Sequence, residues 1–145
     1  MKDDRLRISV DNEYVKDISL ATFAFAQLEW NVVWCCERLK SGYIKNLGRK
    51  TAGDIAKDFL KFAKRNRDSK LRRELIESGN HFKLLVKSRN SLLHAKPGTD
   101  KDGGQRLFRN SVPWTAASLT AIADEFTESS IIFNEYIHGP LKRSE

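Results

Sequence analysis

Cysteine is nearly missing from this chain: its two copies, Cys35 and Cys36, are sequence neighbours. Adjacent thiols do not staple loops together, and without further ligands they build no zinc site, so helix packing is the better account of them. Histidine is as sparse. His81, His94 and His138 are scattered, with no helical i, i+4 pair and no carboxylate cluster around them, so neither a metal nor a cofactor is expected. No apolar run approaches the ~18 residues that mark a membrane span. Met1-Lys2-Asp3-Asp4-Arg5 is charged, but no apolar region follows it directly, and the stretch from Ile18 is broken by Gln27, Glu29 and Asn31. A signal peptide is therefore not expected, and the cytoplasm is the default location.

What remains is helical and basic. A chain of 145 residues suits a single domain over 1–145, and 26 Lys+Arg against 19 Asp+Glu leave a net charge of +7, which favours an anionic partner such as nucleic acid. Ile18, Ala21, Phe25, Leu28, Val32, Cys36 and Leu39 recur at steps of three and four, predicting a first helix that starts as early as Asp11 and ends near Ser41-Gly42. Thr51-Ala52-Gly53-Asp54 is a capping-box pattern ahead of Ile55, Phe59, Leu60 and Phe62. Asp68 or Ser69 caps a third helix carrying Leu71, Leu75, Phe82, Leu85, Val86, Leu92 and Leu93, with Gly79 as a point of irregularity and Pro97 as its limit. From Lys96 to Pro113 periodicity fades, predicting a long loop with a hairpin across Gly103-Gly104. A fourth helix runs from about Thr115 to Ile137, where Gly139-Pro140 stops it before a frayed tail. The fold class expected is all-α: an up-and-down four-helix bundle with one long loop between its third and fourth helices.

Ser88-Arg89-Asn90-Ser91-Leu92-Leu93-His94-Ala95 carries the chemistry. Arg89 offers phosphate oxygens a planar fork of donors, and His94 exchanges protons near neutral pH. On a helix Asn90 and His94 share a face, whereas Arg89 lies about 140° from His94 if each residue turns about 100°. Arg89 and His94 enclose four residues. The stretch resembles the Arg-x(4 to 6)-His motif of the HEPN superfamily, helical domains found in many prokaryotic ribonucleases. The resemblance implies a HEPN-like bundle acting as a metal-independent endoribonuclease of the toxin or phage-defence type. In it Arg89 and His94 are catalytic and Asn90 orients phosphate or imidazole. A homodimer with a composite cleft and an antitoxin protein as partner would follow. Some HEPN-like enzymes also carry an acidic residue on an earlier helix, for which this chain offers Glu29 and Glu37.

Beyond the motif, Lys96, Lys101, Arg106 and Arg109 place positive charge in the loop that follows it and are candidates for RNA contact. A denser run, Lys61, Lys64, Arg65, Arg67, Lys70, Arg72 and Arg73, bridges the second and third helices and is either an RNA backbone site or a solvated turn. Trp30 and Trp34, four apart, suit an apolar stripe or a dimer interface better than base stacking. Two rival readings stand beside the nuclease. One is a non-catalytic HEPN module that binds nucleotide or RNA, or partners a nucleotidyltransferase; the other is a helical assembly protein, in which Arg89 and His94 lie apart and exposed.

Overall fold

The computed structural model describes residues 9–143. The charged start at Met1–Arg5 and the last two residues of the expected tail lie outside that range. Four helices dominate: α1 (Asn12–Leu39), α2 (Ala52–Ala63), α3 (Ser69–Leu93) and α4 (Ala116–His138). Their starts follow the sequence signals. Asp11 caps α1, Thr51 and Asp54 close a reciprocal capping box on α2, the Asp68 carboxylate accepts from the Leu71 N–H on α3, and Thr115 with Ser118 forms a second capping box on α4.

The mainly helical, four-helix expectation holds, with one departure between α3 and α4, where the expected hairpin is part of a small sheet. It is a three-stranded antiparallel sheet of β1 (Lys96–Thr99), β2 (Gln105–Arg109) and β3 (Val112–Pro113), in that order. Lys96 pairs with Phe108 and Thr99 with Gln105, across a turn that the Asp100 carboxylate closes by accepting from the Asp102 and Gly104 N–H groups. The second turn, Asn110-Ser111, has positive φ at both residues, the backbone that joins two strands most tightly. Tyr14 of α1 fastens the sheet down. Its hydroxyl donates to the Trp114 carbonyl at 2.7 Å and accepts from the Leu107 N–H at 3.0 Å.

Helix order is corrected. Contacts climb α1 and α4 in the same direction: Phe25 meets Phe126, Asn31 meets Ser130, Cys35 meets the Phe133 carbonyl, and Glu37 meets Arg143. These two helices are therefore parallel, not alternating as an up-and-down bundle requires. The connection 40–51 is long enough to permit this, and Tyr43, Ile44 and Leu47 anchor it to the core. It brings the C-terminal ends of α1 and α2 together, since Leu39 and Lys40 line the same depression as Phe62 and Arg65.

Five phenylalanines, Phe25, Phe59, Phe82, Phe126 and Phe133, tie all four helices into one core through edge-to-face and stacked contacts. Cys35 and Cys36 are fully buried, and burial pushes the Cys35 thiol up to about 12 and the Cys36 thiol higher still. α3 is unbroken at Gly79, which is there for space. A Cβ at that position would lie 2.7 Å from Leu60 and 2.8 Å from Phe59, so glycine sets how closely α2 and α3 approach. The tail is held rather than frayed as far as Arg143: Leu141 is buried and Arg143 donates to the Glu37 carbonyl at 2.7 Å. Among the described residues no helix is long and apolar enough to cross a membrane.

Candidate active site

The motif occupies the last turns of α3. His94 is the C-cap residue, its backbone N–H donating to the Asn90 carbonyl at 3.0 Å, and its side chain is exposed. Asn90, one turn earlier, is exposed on the same face. Arg89 points elsewhere, as its angular separation from His94 requires, toward α1.

There the Arg89 guanidinium lies 4.7 Å above the Phe25 ring, and its Nη2 stands 3.7 Å from Glu29 Oε2. The side chain keeps 23% of its surface exposed, yet its Nε is buried with no hydrogen-bond partner. A cation on a ring face is fixed in position by the ring quadrupole without losing its charge. At 3.7 Å the Glu29 carboxylate is beyond good hydrogen-bond length. Burial pushes the Glu29 carboxyl above the ordinary glutamate range, and Arg89 offsets only part of that. Pairing and burial thus pull in opposite directions, and burial wins because the contact is long.

Glu37 lies two turns further along α1 and is occupied. Its carboxylate accepts from the Gly42 N–H at 2.7 Å and meets Arg143 at 3.4 Å, closing the end of the helix. Of the two acidic candidates, Glu29 is the one beside the motif.

The cationic loop residues divide in the same way. Arg106 is built into the fold, 4.5 Å over the Tyr14 ring, 3.6 Å from Asp100 and donating to the Gln105 carbonyl. Lys96, Lys101 and Arg109 are exposed and pair with no carboxylate among the described residues. Arg109 joins Ser91, Val112, Pro113, Trp114 and Ser118 around a depression of about 240 Å³, on the side of α3 away from Arg89. Among the described residues no side-chain hydrogen bond links Arg89, Asn90 and His94, and no three His, Cys, Asp or Glu side chains converge where they could hold a metal ion.

Outside the motif, α1 exposes a second apolar stripe. Leu20, Phe23, Trp30 and Trp34, with Gln27 between them, follow steps of three and four on the side of the helix opposite Phe25, Leu28 and Val32. Phe23 is 65% and Trp30 49% exposed, and the two indoles meet edge to face at 6.3 Å. Sequence reading singled out the tryptophans but not Leu20 or Phe23, whose spacing completes the stripe. Phe25, the platform under Arg89, was legible only as a core residue. No protein-family model matches the chain, and neither a curated protein nor a solved structure matches it.

Proposed function

We propose that this chain is a HEPN-like, metal-independent endoribonuclease, of the toxin or defence type, whose site is completed by a second copy of the chain. The observation that carries the reading is the state of Arg89. It is a guanidinium fixed over Phe25, weakly paired and with one nitrogen unsatisfied, on the helix end that presents Asn90 and His94 to solvent. The ribose 2′-hydroxyl attacks the adjacent phosphorus, and the bond to the departing 5′-oxygen breaks. His94 takes or gives the proton, and Arg89 meets the charge gathering on the phosphorane oxygens. Asn90 orients phosphate or imidazole. The products are a 2′,3′-cyclic phosphate and a 5′-hydroxyl.

Within one chain the three residues do not share a cleft, because Arg89 and His94 leave the helix on different sides. Two copies related by a twofold axis supply both proton carriers and both guanidinium groups to one phosphate. The exposed α1 stripe supports such an assembly, since Leu20, Phe23, Trp30 and Trp34 leave large apolar side chains exposed along one side of the helix. A cytoplasmic setting and an antitoxin partner belong to this proposal.

A second reading, a HEPN module that binds nucleotide or RNA without cutting it, is favoured by the contact Arg89 already makes with Glu29. One assay separates the two: RNA incubated in excess chelator with this chain or with His94→Ala. The expected result is cleavage by the first and none by the second, with 2′-O-methyl RNA and DNA resistant to both. No cleavage of RNA by either protein overturns the enzyme and leaves the binding module.

A further inference from the structure

Far from the motif, where α1 and α2 end and α3 begins, two depressions open side by side. One, of about 380 Å³, lies between Lys40, Tyr43, Lys50 and Lys61; the other, of about 460 Å³, lies between Leu39, Arg65 and Arg67. Lys40 and Phe62 line both, so the two depressions adjoin at these residues and together make a cation-lined groove.

Its cations come from separate parts of the chain: the end of α1, the 40–51 connection, the last turn of α2 and the turn before α3. Lys61, Arg65 and Arg67 belong to the dense basic run, and the fold adds Lys40 and Lys50 to them. Lys50 is tied to Asp58 at 2.7 Å, whereas Lys40, Lys61, Arg65 and Arg67 pair with no carboxylate among the described residues. Two rings make the floor. Tyr43 and Phe62 meet edge to face at 5.7 Å, with the Lys40 ammonium 5.6 Å from the Phe62 ring and Lys50 5.7 Å from the Tyr43 ring. An ammonium resting on a ring keeps its charge and leaves donors facing outward. Because both rings are themselves buried, no base can stack on them. Helix dipoles favour cations at the ends of α1 and α2, where Lys40, Lys61 and Arg65 lie, but that effect fades within a turn and does not account for Arg67.

We propose that this groove is an RNA-backbone exosite, which holds the phosphates of a strand away from the cleavage site and reads no bases. A concave, cation-lined channel fits a strand, not the plane of a bilayer. The proposal rests on RNA being the ligand of the motif, and it adds a length requirement. The groove precedes the first residue of α3 and the motif ends that helix, so its 25 residues separate them. Such a helix rises about 37 Å. At ~3.4 Å per phosphate in a base-paired strand, on the order of ten nucleotides bridge the two places.

The test uses full-length His94→Ala protein, so that no RNA is consumed, and fluorescence anisotropy with labelled RNAs of about six and about twenty nucleotides, below and above that span. The triple variant Lys61→Glu/Arg65→Glu/Arg67→Glu is compared with Lys16→Glu/Arg49→Glu/Lys142→Glu, which makes the same change in net charge at exposed positions that neither line the groove nor lie on α3. The groove variant is expected to weaken binding of the long RNA at least tenfold, to lose the gain in affinity of long over short RNA, and to flatten the dependence of log K on log salt by about two. The control triple is expected to do less than a third of this. Equal losses in both triples, or unchanged long-RNA binding in the groove triple, overturn the exosite. A polyglutamate peptide that binds as tightly as RNA, and is lost in the same triple, also overturns it in favour of an acidic protein. Cleavage is scored separately in the His94-containing chain: absence of cutting with groove-dependent binding sinks the nuclease alone, and cutting with an unchanged KM in the groove triple sinks the exosite alone.

Discussion

Arg89 and Glu29 face each other from α3 and α1 at 3.7 Å, close enough to feel one another's charge and too far apart to share a good hydrogen bond. The net result for Glu29 is a carboxyl whose burial outweighs its partner. Because its proton affinity is raised in the folded protein, Glu29 favours the folded state below the ordinary value of 4.5 and that contribution is lost as pH rises through the folded value. Glu29→Gln is therefore expected to gain stability near neutrality and to gain none in acid. Denaturant unfolding at the two pH values reads this directly, and a loss near neutrality would mean that the pair with Arg89 outweighs burial.

The same substitution separates two roles in cleavage. If Glu29 carries a proton, Glu29→Gln removes one limb of the pH–rate profile; if it only holds Arg89, both limbs stay and the rate alone falls. We expect the first where the chain acts as a monomer, and the second where a partner supplies another His94.

Arg89→Ala is expected to abolish cleavage and, unlike a change at a free surface arginine, to lower stability by about 1 kcal/mol, because the guanidinium leaves Phe25 and an unpaired Glu29 behind. Arg89→Lys should remain inactive, since an ammonium lacks the two-pronged fork. His94 is exposed at the end of α3, so His94→Ala should stay within ~0.5 kcal/mol of the parent by thermal melting. A large loss on removing His94 would assign it a structural role.

Glu37 makes the opposite electrostatic case. Partial burial pushes its carboxyl up, but the N–H groups of Gly42, Ile44 and Tyr43 together with Arg143 hold it below the ordinary 4.5. Its contribution is present above that value and lost as pH falls through the lower folded one. Glu37→Gln should thus lose stability near neutrality, and parent and variant should converge in acid. Unfolding curves that stay separated in acid would point to packing instead.

Gly79→Ala is expected to cost about 1–3 kcal/mol through overpacking against Phe59 and Leu60, despite alanine being the better helix former. A neutral or stabilising outcome by denaturant melting would mean that α2 moves away freely. The glycine also illustrates what was legible. Helix starts could be read because Thr51, Asp68 and Asp11 act on their own next turn, and the core stripes could be read because three-and-four spacing is local. Gly79 could be seen only as a helix weakness, since the ring that needs its space comes from another helix. The hairpin across Gly103-Gly104 was legible from its glycines, and β1 and β2 pair across it, but the third strand and the fastening of the sheet were hidden for a similar reason. Its strands are short, β1 contains Pro97 and Gly98, and the hydroxyl that fastens it comes from Tyr14, 93 and 100 residues from its two partners. The parallel course of α1 and α4 is likewise set by contacts that no window of the chain contains. At the site, the angle between Arg89 and His94 followed from helix geometry alone, while Phe25 as the platform did not.

The stripe on α1 gives the assembly its own test. Leu20, Phe23, Trp30 and Trp34 expose large apolar area on the face turned from the core, so their truncation removes no core contact while weakening any copy-to-copy interface. Phe23→Ser/Trp30→Ser should leave the melting temperature of the monomer nearly unchanged and raise the dimer dissociation constant at least a hundredfold, about 2.7 kcal/mol at 1.36 kcal/mol per decade. Activity per chain should fall in step with the dimer fraction on dilution, followed by sedimentation and cleavage together. Mixing the parent chain with excess inactive His94→Ala then tests whether the site is shared, because a mixed dimer retains only one of the two imidazoles that the proposed site needs. Activity that falls further than dilution of separate, independent sites would allow requires both chains at one phosphate. If the double-serine variant is monomeric and fully active, the shared site fails, and Glu29 becomes the second proton carrier.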